Sequence, residues 1–174
     1  MTEQNKSRAF LGFGGNIGDS ISHFCCALQR LSAHPHITVT ASSPVYRTPA
    51  VGGPANQPDY LNGVIEISTD MAPHKLLQLC RQIEDSAGRS RDIHWGPRTL
   101  DIDLLFIDNL VLDDPLLTIP HPRLHQRQFV LLPLNDLAPQ LRHPQINKTV
   151  AELLADLPPA TGISKLNEKW VSND

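Results

Sequence analysis

Aromatic rings are scarce in this 174-residue chain: two Trp, two Tyr and five Phe, 5% of the residues. No strand-like segment carries the clustered rings on which single-stranded nucleic acid stacks, which speaks against an RNA-recognition sheet. An excess of either charge is also missing. Fifteen Lys and Arg face 18 Asp and Glu, a net charge of −3, and so weak a field gathers neither a nucleic-acid backbone nor an anionic membrane. Any anionic ligand must be held by local groups. Cysteine is limited to Cys25, Cys26 and Cys80. Two of them are adjacent in a segment with helical spacing, a poor start for a disulfide and unlike any zinc pattern. Nowhere do 18 apolar residues run together, and the opening MTEQNKSRAF is too polar for a signal-peptide core. These absences point to a cytoplasmic protein with no nucleic acid and no membrane among its partners; small-molecule partners and a monomeric state are expected alongside, though no absence dictates them.

What is present suffices for one domain over residues 1–174. Hydrophobic residues make up 40% of the chain, and its length is that of a single domain of roughly 100 to 200 residues. RAFLGF (8–13) has the pattern of a short buried strand, broken by the glycines of GFGGNIGDS. Asp19 or Ser20 can cap a helix to about Ser32 whose apolar face is Ile21, Phe24, Cys25, Leu28 and Leu31. The β-branched run 37–46 predicts a second strand with Pro44 at an edge or bulge. A Pro- and Gly-rich loop, 47–59, leads to a third strand over 60–69. A second helix runs from Pro73 to a glycine stop at Gly88, with Leu76, Leu77, Leu79, Cys80 and Ile83 on its apolar face. Loop 89–97 precedes a strand that ends at the Asp108-Asn109 turn. A third helix falls within 123–137 and a fourth over about Val150–Leu157, the start of a tail to residue 174. The order β, α, β, β, α, β predicts an α+β, ferredoxin-like fold, a mostly antiparallel sheet packed between helices.

Chemistry concentrates in GPRTLDIDLLF (96–106). An oily strand does not take up charge for its own stability. Side chains alternate along a strand, so Asp101 and Asp103 share one face, roughly 6 to 7 Å apart, while Leu100, Ile102 and Leu104 pack on the other. Like charges this close call for a cation. Paired carboxylates hold Mg²⁺, singly or as two ions, together with substrate phosphates. Arg89, Arg91 and Arg98 just upstream suit the phosphate oxygens, so a metal-bound, phosphorylated nucleotide is the expected ligand. The glycines of GFGGNIGD fit neither the dinucleotide fingerprint nor a P-loop. A tight strand-to-helix turn is the favoured account of them, backbone contact with a ligand the alternative. His121 and His125 lack a zinc-site register, which leaves His121 as a phosphate donor or a turn residue.

HWGPRTLDIDLLF, with GRSR before it, YRTP…QPDYLN upstream and TIPHPRLHQRQFVLLPL downstream, resembles the 6-hydroxymethyl-7,8-dihydropterin pyrophosphokinase family over about residues 10–144. The resemblance implies pyrophosphoryl transfer from ATP, the co-substrate, to a reduced pterin in folate biosynthesis, with two Mg²⁺ ions at Asp101 and Asp103. It implies a catalytic set of Arg89, Arg98, Asp101 and Asp103. The triphosphate is handled by Arg91, His121 and Arg127, with Glu84, Leu104 and Thr118 on the ATP side. Tyr60 and Phe129 match the rings that stack on the pterin, Asn62 the amide that reads its edge, Thr48, Pro49 and Val51 the lining loop, and Trp95 a lid. Four positions depart from the family pattern: His94 and Asp92 make the arginine loop less positive, Gly15 replaces a serine, and Ala50 a proline. Loops 47–59 and 88–97 are predicted to close over the substrates. Two other classes share features with this chain. Nucleotide-sugar glycosyltransferases use paired aspartates but need a longer chain, and RNA-binding ferredoxin-like sheets do not carry carboxylates on their binding face.

Overall fold

The computed structural model describes residues 5–50, 56–88, 99–166 and 170. In β1 (Ser7–Gly15), Ala9, Leu11 and Phe13 pack on one face of the sheet and Phe10 on the other. The glycines do not end this strand as the pattern of 8–13 suggested: Gly12, Gly14 and Gly15 stay in register with a neighbouring strand. The turn comes after them. Asp19 caps α1 (Ser20–Ala33), accepting from the Ser22 backbone N–H at 3.2 Å and from its hydroxyl at 2.8 Å. Those hydrogen bonds hold the Asp19 carboxyl below its ordinary range. Phe24, Ala27, Leu28 and Leu31 carry the buried face, with Ile21 and Cys25 at its margin.

The single strand foreseen over 37–46 is two. β2 (Ile37–Ser42) and β3 (Tyr46–Thr48) both pair with β4 (Tyr60–Thr69), β2 toward its end and β3 at its start. The break falls at Pro44, which has no N–H to give a ladder. Ser43 bridges it: its N–H donates to the Val64 carbonyl at 2.8 Å and its hydroxyl accepts the Val64 N–H at 2.9 Å. α2 (Pro73–Ser86) starts on proline, buries Leu76, Cys80 and Ile83, and stops before Gly88 at φ 78°. In β5 (Asp101–Ile107) a bulge at Leu105 turns Leu105 and Phe106 to the same core, while Ile102 and Leu104 face the opposite one. A small hairpin, β6 (Leu112–Asp113) with β7 (Thr118–Ile119), had no counterpart in the sequence pattern. A 3-10 turn at Leu124–Gln126 leads into α3 (Gln128–Leu137), followed by α4 (Val150–Ala155) and β8 (Ser164–Lys165).

The main sheet runs β5-β1-β4-β3-β8 with β2 also on β4, every pairing antiparallel. α1 and α2 cover one face, α3 and α4 the other. This is the expected ferredoxin-like arrangement, and the tail contributes α4 and the edge strand β8 to it. Among the described residues Trp170 is the largest fully buried side chain. Its ring meets Phe13 and Phe24 edge-on, centroids 5.0 and 5.2 Å away, and its indole N–H donates to the Ser43 carbonyl at 2.7 Å. The Cys25 thiol donates to the Trp170 carbonyl at 3.0 Å. All three cysteines are free thiols, and among the described residues no helix is long and apolar enough to cross a membrane.

Candidate active site

Strand register builds the floor of the site. Asp101, Gly14 and Asn62 lie side by side across β5, β1 and β4, and on the next rung of that face stand Asp103, Gly12 and Val64. Glycine on the middle strand leaves an open trough between the carboxylates and the amide, and a cavity of about 860 Å³ opens above it. A Cβ at position 14 would sit 3.1 Å from Asn62 Oδ1, tighter than a side chain tolerates without moving the amide. The favoured account of these glycines as turn residues is therefore corrected: Gly12 and Gly14 line the cavity floor. Their spacing of two within a strand was the available signal.

Asn62 is 7% exposed, and its Nδ2 donates to Thr48 Oγ1 at 2.9 Å. That bond fixes which way the amide points and leaves Oδ1 toward Gly14. Asn16, at the exit of β1, donates to the Pro58 carbonyl at 3.0 Å and so ties down the approach to Tyr60. Tyr60, at the start of β4, and Phe129, in the first turn of α3, both line the cavity, and the Arg127 guanidinium lies 5.5 Å from the Phe129 ring centre. His121 is fixed by its backbone, whose N–H donates to the Leu105 carbonyl at 3.0 Å, and its Nδ1 accepts from Arg123 N–H at 3.2 Å. The imidazole proton therefore sits on Nε2, available as a donor. Burial, then the charges of Arg127 and Arg123, lower the His121 pKa to about 4, so the ring is neutral at physiological pH. An unfolded chain protonates it near 6.5. Between these values the unfolded state binds more protons, and stability falls as the pH drops through the window. Urea unfolding of His121→Gln should show a flatter pH dependence between pH 4 and 6.5 than the parent.

Asp101, Asp103, Thr48, Pro49, Tyr60, Asn62, His121, Arg127 and Phe129 thus come together around one cavity. Glu84, Leu104 and Thr118 do not line it. Leu104 is 4% exposed in the core under α1 and α2, and Thr118 stands in β7. Glu84, buried in α2, accepts the Ile102 N–H on Oε2 at 3.0 Å, and so holds the strand that bears the aspartates from beneath. Glu84→Ala leaves that N–H without its acceptor and should lower the unfolding free energy by about 1–3 kcal/mol in urea titrations. Glu84→Gln, whose carbonyl still accepts, should recover most of the loss. Burial and then the Glu84 and Asp103 charges push the neighbouring Cys80 thiol up to about 12, which keeps it protonated. Arg89, Arg91, Trp95 and Arg98, with the departures Asp92 and His94, lie outside the described residues, as do Val51, the stretch 51–55 of the first loop expected to close and all but Gly88 of the second. Gln126, Gln128 and the tail residues Leu157, Pro158, Pro159, Thr161 and Ile163 also line the cavity. No local pattern announces them; they arrive by long-range packing.

Carboxylates and a buried amide on one floor, two aromatic side chains around the same cavity, and an arginine with a neutral imidazole lining it belong to proteins that bring a polyanion to a flat heterocycle. Comparison with known proteins narrows this class. The model of the 7,8-dihydro-6-hydroxymethylpterin-pyrophosphokinase family matches residues 10–139, and the chain belongs to that family. A Methylorubrum extorquens protein named 2-amino-4-hydroxy-6-hydroxymethyldihydropteridine pyrophosphokinase is 42% identical over 160 residues, 92% of this chain and 99% of that one. A Pseudomonas aeruginosa protein of the same name is 41% identical over 159 residues, 91% of this chain and 96% of its own length. Among solved structures, wild-type Plasmodium falciparum HPPK-DHPS superposes with a TM-score of 0.66 at 15% identity, a likeness of fold. It covers 90% of this chain, which spans 45% of that longer one.

Proposed function

We propose that this protein transfers the pyrophosphoryl group of ATP to the hydroxymethyl of 6-hydroxymethyl-7,8-dihydropterin, giving AMP and the pterin diphosphate, a step of folate biosynthesis. One observation carries the reading to these residues: the register that sets Asp101 and Asp103 across two glycines from Asn62 on a single floor. A pterin is flat and has a donor–acceptor edge. Between Tyr60 and Phe129 it stacks, and Asn62 Oδ1 accepts from its N–H groups while Thr48 holds the amide in place. Pro49 and Val51 line the entrance and Trp95 covers it.

The ATP phosphates then rest toward Asp101 and Asp103. His121 Nε2–H and the Arg127 guanidinium donate to their oxygens, joined by Arg89, Arg91 and Arg98. Leu104 and Thr118, which stand outside the cavity, are assigned to the adenine by the family pattern alone, and Glu84 acts on that side by supporting β5. Among the described residues no cluster of three or more His, Cys, Asp or Glu could by itself hold a metal. A pair of carboxylates lining the cavity nonetheless suits Mg²⁺, which takes few protein oxygens and completes its shell with water and phosphate. Asp101 and Asp103 would hold two such ions, which when bound neutralise phosphate charge and lower the pKa of a bound hydroxyl. The chain supplies no nucleophile. The pterin hydroxyl oxygen bonds to the β-phosphorus, gives up its proton, and the bond from that phosphorus to the oxygen bridging the α-phosphate breaks. AMP leaves with that oxygen. Alignment of the two substrates and stabilisation of the developing charge are the protein's contribution.

The three free thiols support the further expectation of a cytoplasmic location, and a monomer is expected alongside it. The decisive assay incubates the protein with ATP, Mg²⁺ and the hydroxymethyl-dihydropterin. AMP and pterin diphosphate are expected in equal amounts; ADP would mean ordinary phosphoryl transfer and would overturn the proposal.

A further inference from the structure

The family match ends at residue 139, yet one wall of the cavity is built from residues beyond it. Leu157, Pro158, Thr161 and Ile163 line the space beside Phe129, Thr48 and Pro49. The tail is fastened to both sides of that space. On one side, the Gln128 amide, next to Phe129 at the start of α3, donates to the Pro158 carbonyl. On the other, Gly162, at φ 73°, lies against the Pro49 ring, with 3.5 Å from the position of a Cβ to Pro49 Cγ. β8 then pairs with β3, and the Leu166 N–H donates to the Val45 carbonyl at 2.8 Å. A second tie joins the same three elements. Asp136 of α3 accepts from the Tyr46 hydroxyl of β3 and, at 3.3 Å, from Lys165 Nζ of β8. Trp170 completes the path on the far face of the sheet, 3.0 Å from the position of a Cβ at Gly63, the neighbour of Asn62.

We infer that Leu157–Leu166, with Trp170 as its anchor, is a strap that sets the width of the pterin slot, holding α3 with Phe129 at a fixed distance from β3 with Thr48 and Pro49. The inference rests on the pterin assignment of this cavity. Its residues are positioning residues: they act through Phe129, Pro49 and Asn62, and the ATP end is fastened separately by β5 and His121. A slot held at one width pre-orders the two walls for a planar ring, so that ring ordering is not repeated at each binding event. Loosening the strap should therefore weaken pterin binding and spare ATP.

Two variants of the full chain test this. Gln128→Met keeps the length of the side chain and removes the donor to Pro158. Gly162→Val, at an exposed turn, places a β-branched side chain at a positive φ and pushes the strap off Pro49. Binding of 6-hydroxymethylpterin is read from its fluorescence with saturating α,β-methylene-ATP and Mg²⁺, and binding of the methylene-ATP by calorimetry. For folded variants the pterin Kd and KM should rise by about tenfold. The methylene-ATP Kd should stay within about twofold and kcat at saturating pterin within about threefold, because the reacting groups are untouched. Pterin affinity within twofold of the parent in both variants, or equal weakening of both ligands, overturns the inference. A parent protein that makes no AMP fails the functional assignment itself, a result separate from either of these.

Discussion

Asp101→Ala and Asp103→Ala proteins, each still folded, should form AMP roughly a thousandfold more slowly than the parent, a loss of about 4 kcal/mol in transition-state stabilisation. Both side chains are partly buried on the cavity side of β5, whereas the residues between and beyond them, Ile102 and Leu104, supply the core. The fold is thus carried by one set of alternate positions and the chemistry by the other, and either aspartate can be removed without opening a hole in the core. The defect should lie in kcat and in the Mg²⁺ concentration needed for half-maximal rate. The pterin Kd should change little, since Asn62, Tyr60 and Phe129 stand on other strands and helices. A variant that turns over as fast as the parent at the same magnesium requirement would remove the basis of the functional assignment.

Trp170→Ala should be the most damaging single change to stability. A fully buried indole that meets two Phe rings and the backbone at Gly63 leaves a cavity that the sheet above and α1 below are too rigid to fill. Losses of about 3–5 kcal/mol accompany such truncations. For a domain of this size that lowers the unfolding midpoint by roughly 6 to 20 °C, readable in a thermal scan followed by circular dichroism. Trp170→Phe keeps most of the ring packing and forfeits the hydrogen bond to Ser43, so it should cost less than half as much. Equal midpoints for parent and Trp170→Ala would mean that the tail does not contribute to the core.

Much of this was legible beforehand because it rests on local periodicity. The period of two in LDIDLLF put both aspartates on one face, and the helical spacing of Phe24, Leu28 and Leu31 marked the face of α1 that is buried. What escaped has other causes. Gly12 and Gly14 have no side chain to contribute to a pattern, and their role depends on Asn62, in contact only once β1 and β4 pair. The division of 37–46 into two strands depends on Ser43 substituting its hydroxyl for a missing ladder bond, which composition does not encode. The hairpin at Leu112 and Thr118 has strands of two residues each, below the length at which alternation registers. The acidic character of Glu84 suggests the ATP side, while its hold on the Ile102 N–H appears only once α2 meets β5. The strap from Leu157 to Leu166 has only the two residues of β8 in regular structure, and its place is decided by α3 partners 30 and 29 residues away and by Val45, Tyr46 and Pro49, more than a hundred residues away.

That last separation bears on how fast the molecule assembles. The hydrogen bonds of Trp170 close loops of 127 residues to Ser43 and 145 residues to Cys25, and the entropy of closing such long loops must be met before the indole gains its contacts. β1, α1 and β4 can collapse first around Phe13 and Phe24, leaving a slot that the indole enters afterwards. In refolding experiments the quenching or shift of Trp170 emission should therefore lag the recovery of backbone circular dichroism, and catalytic competence should return with the slower signal.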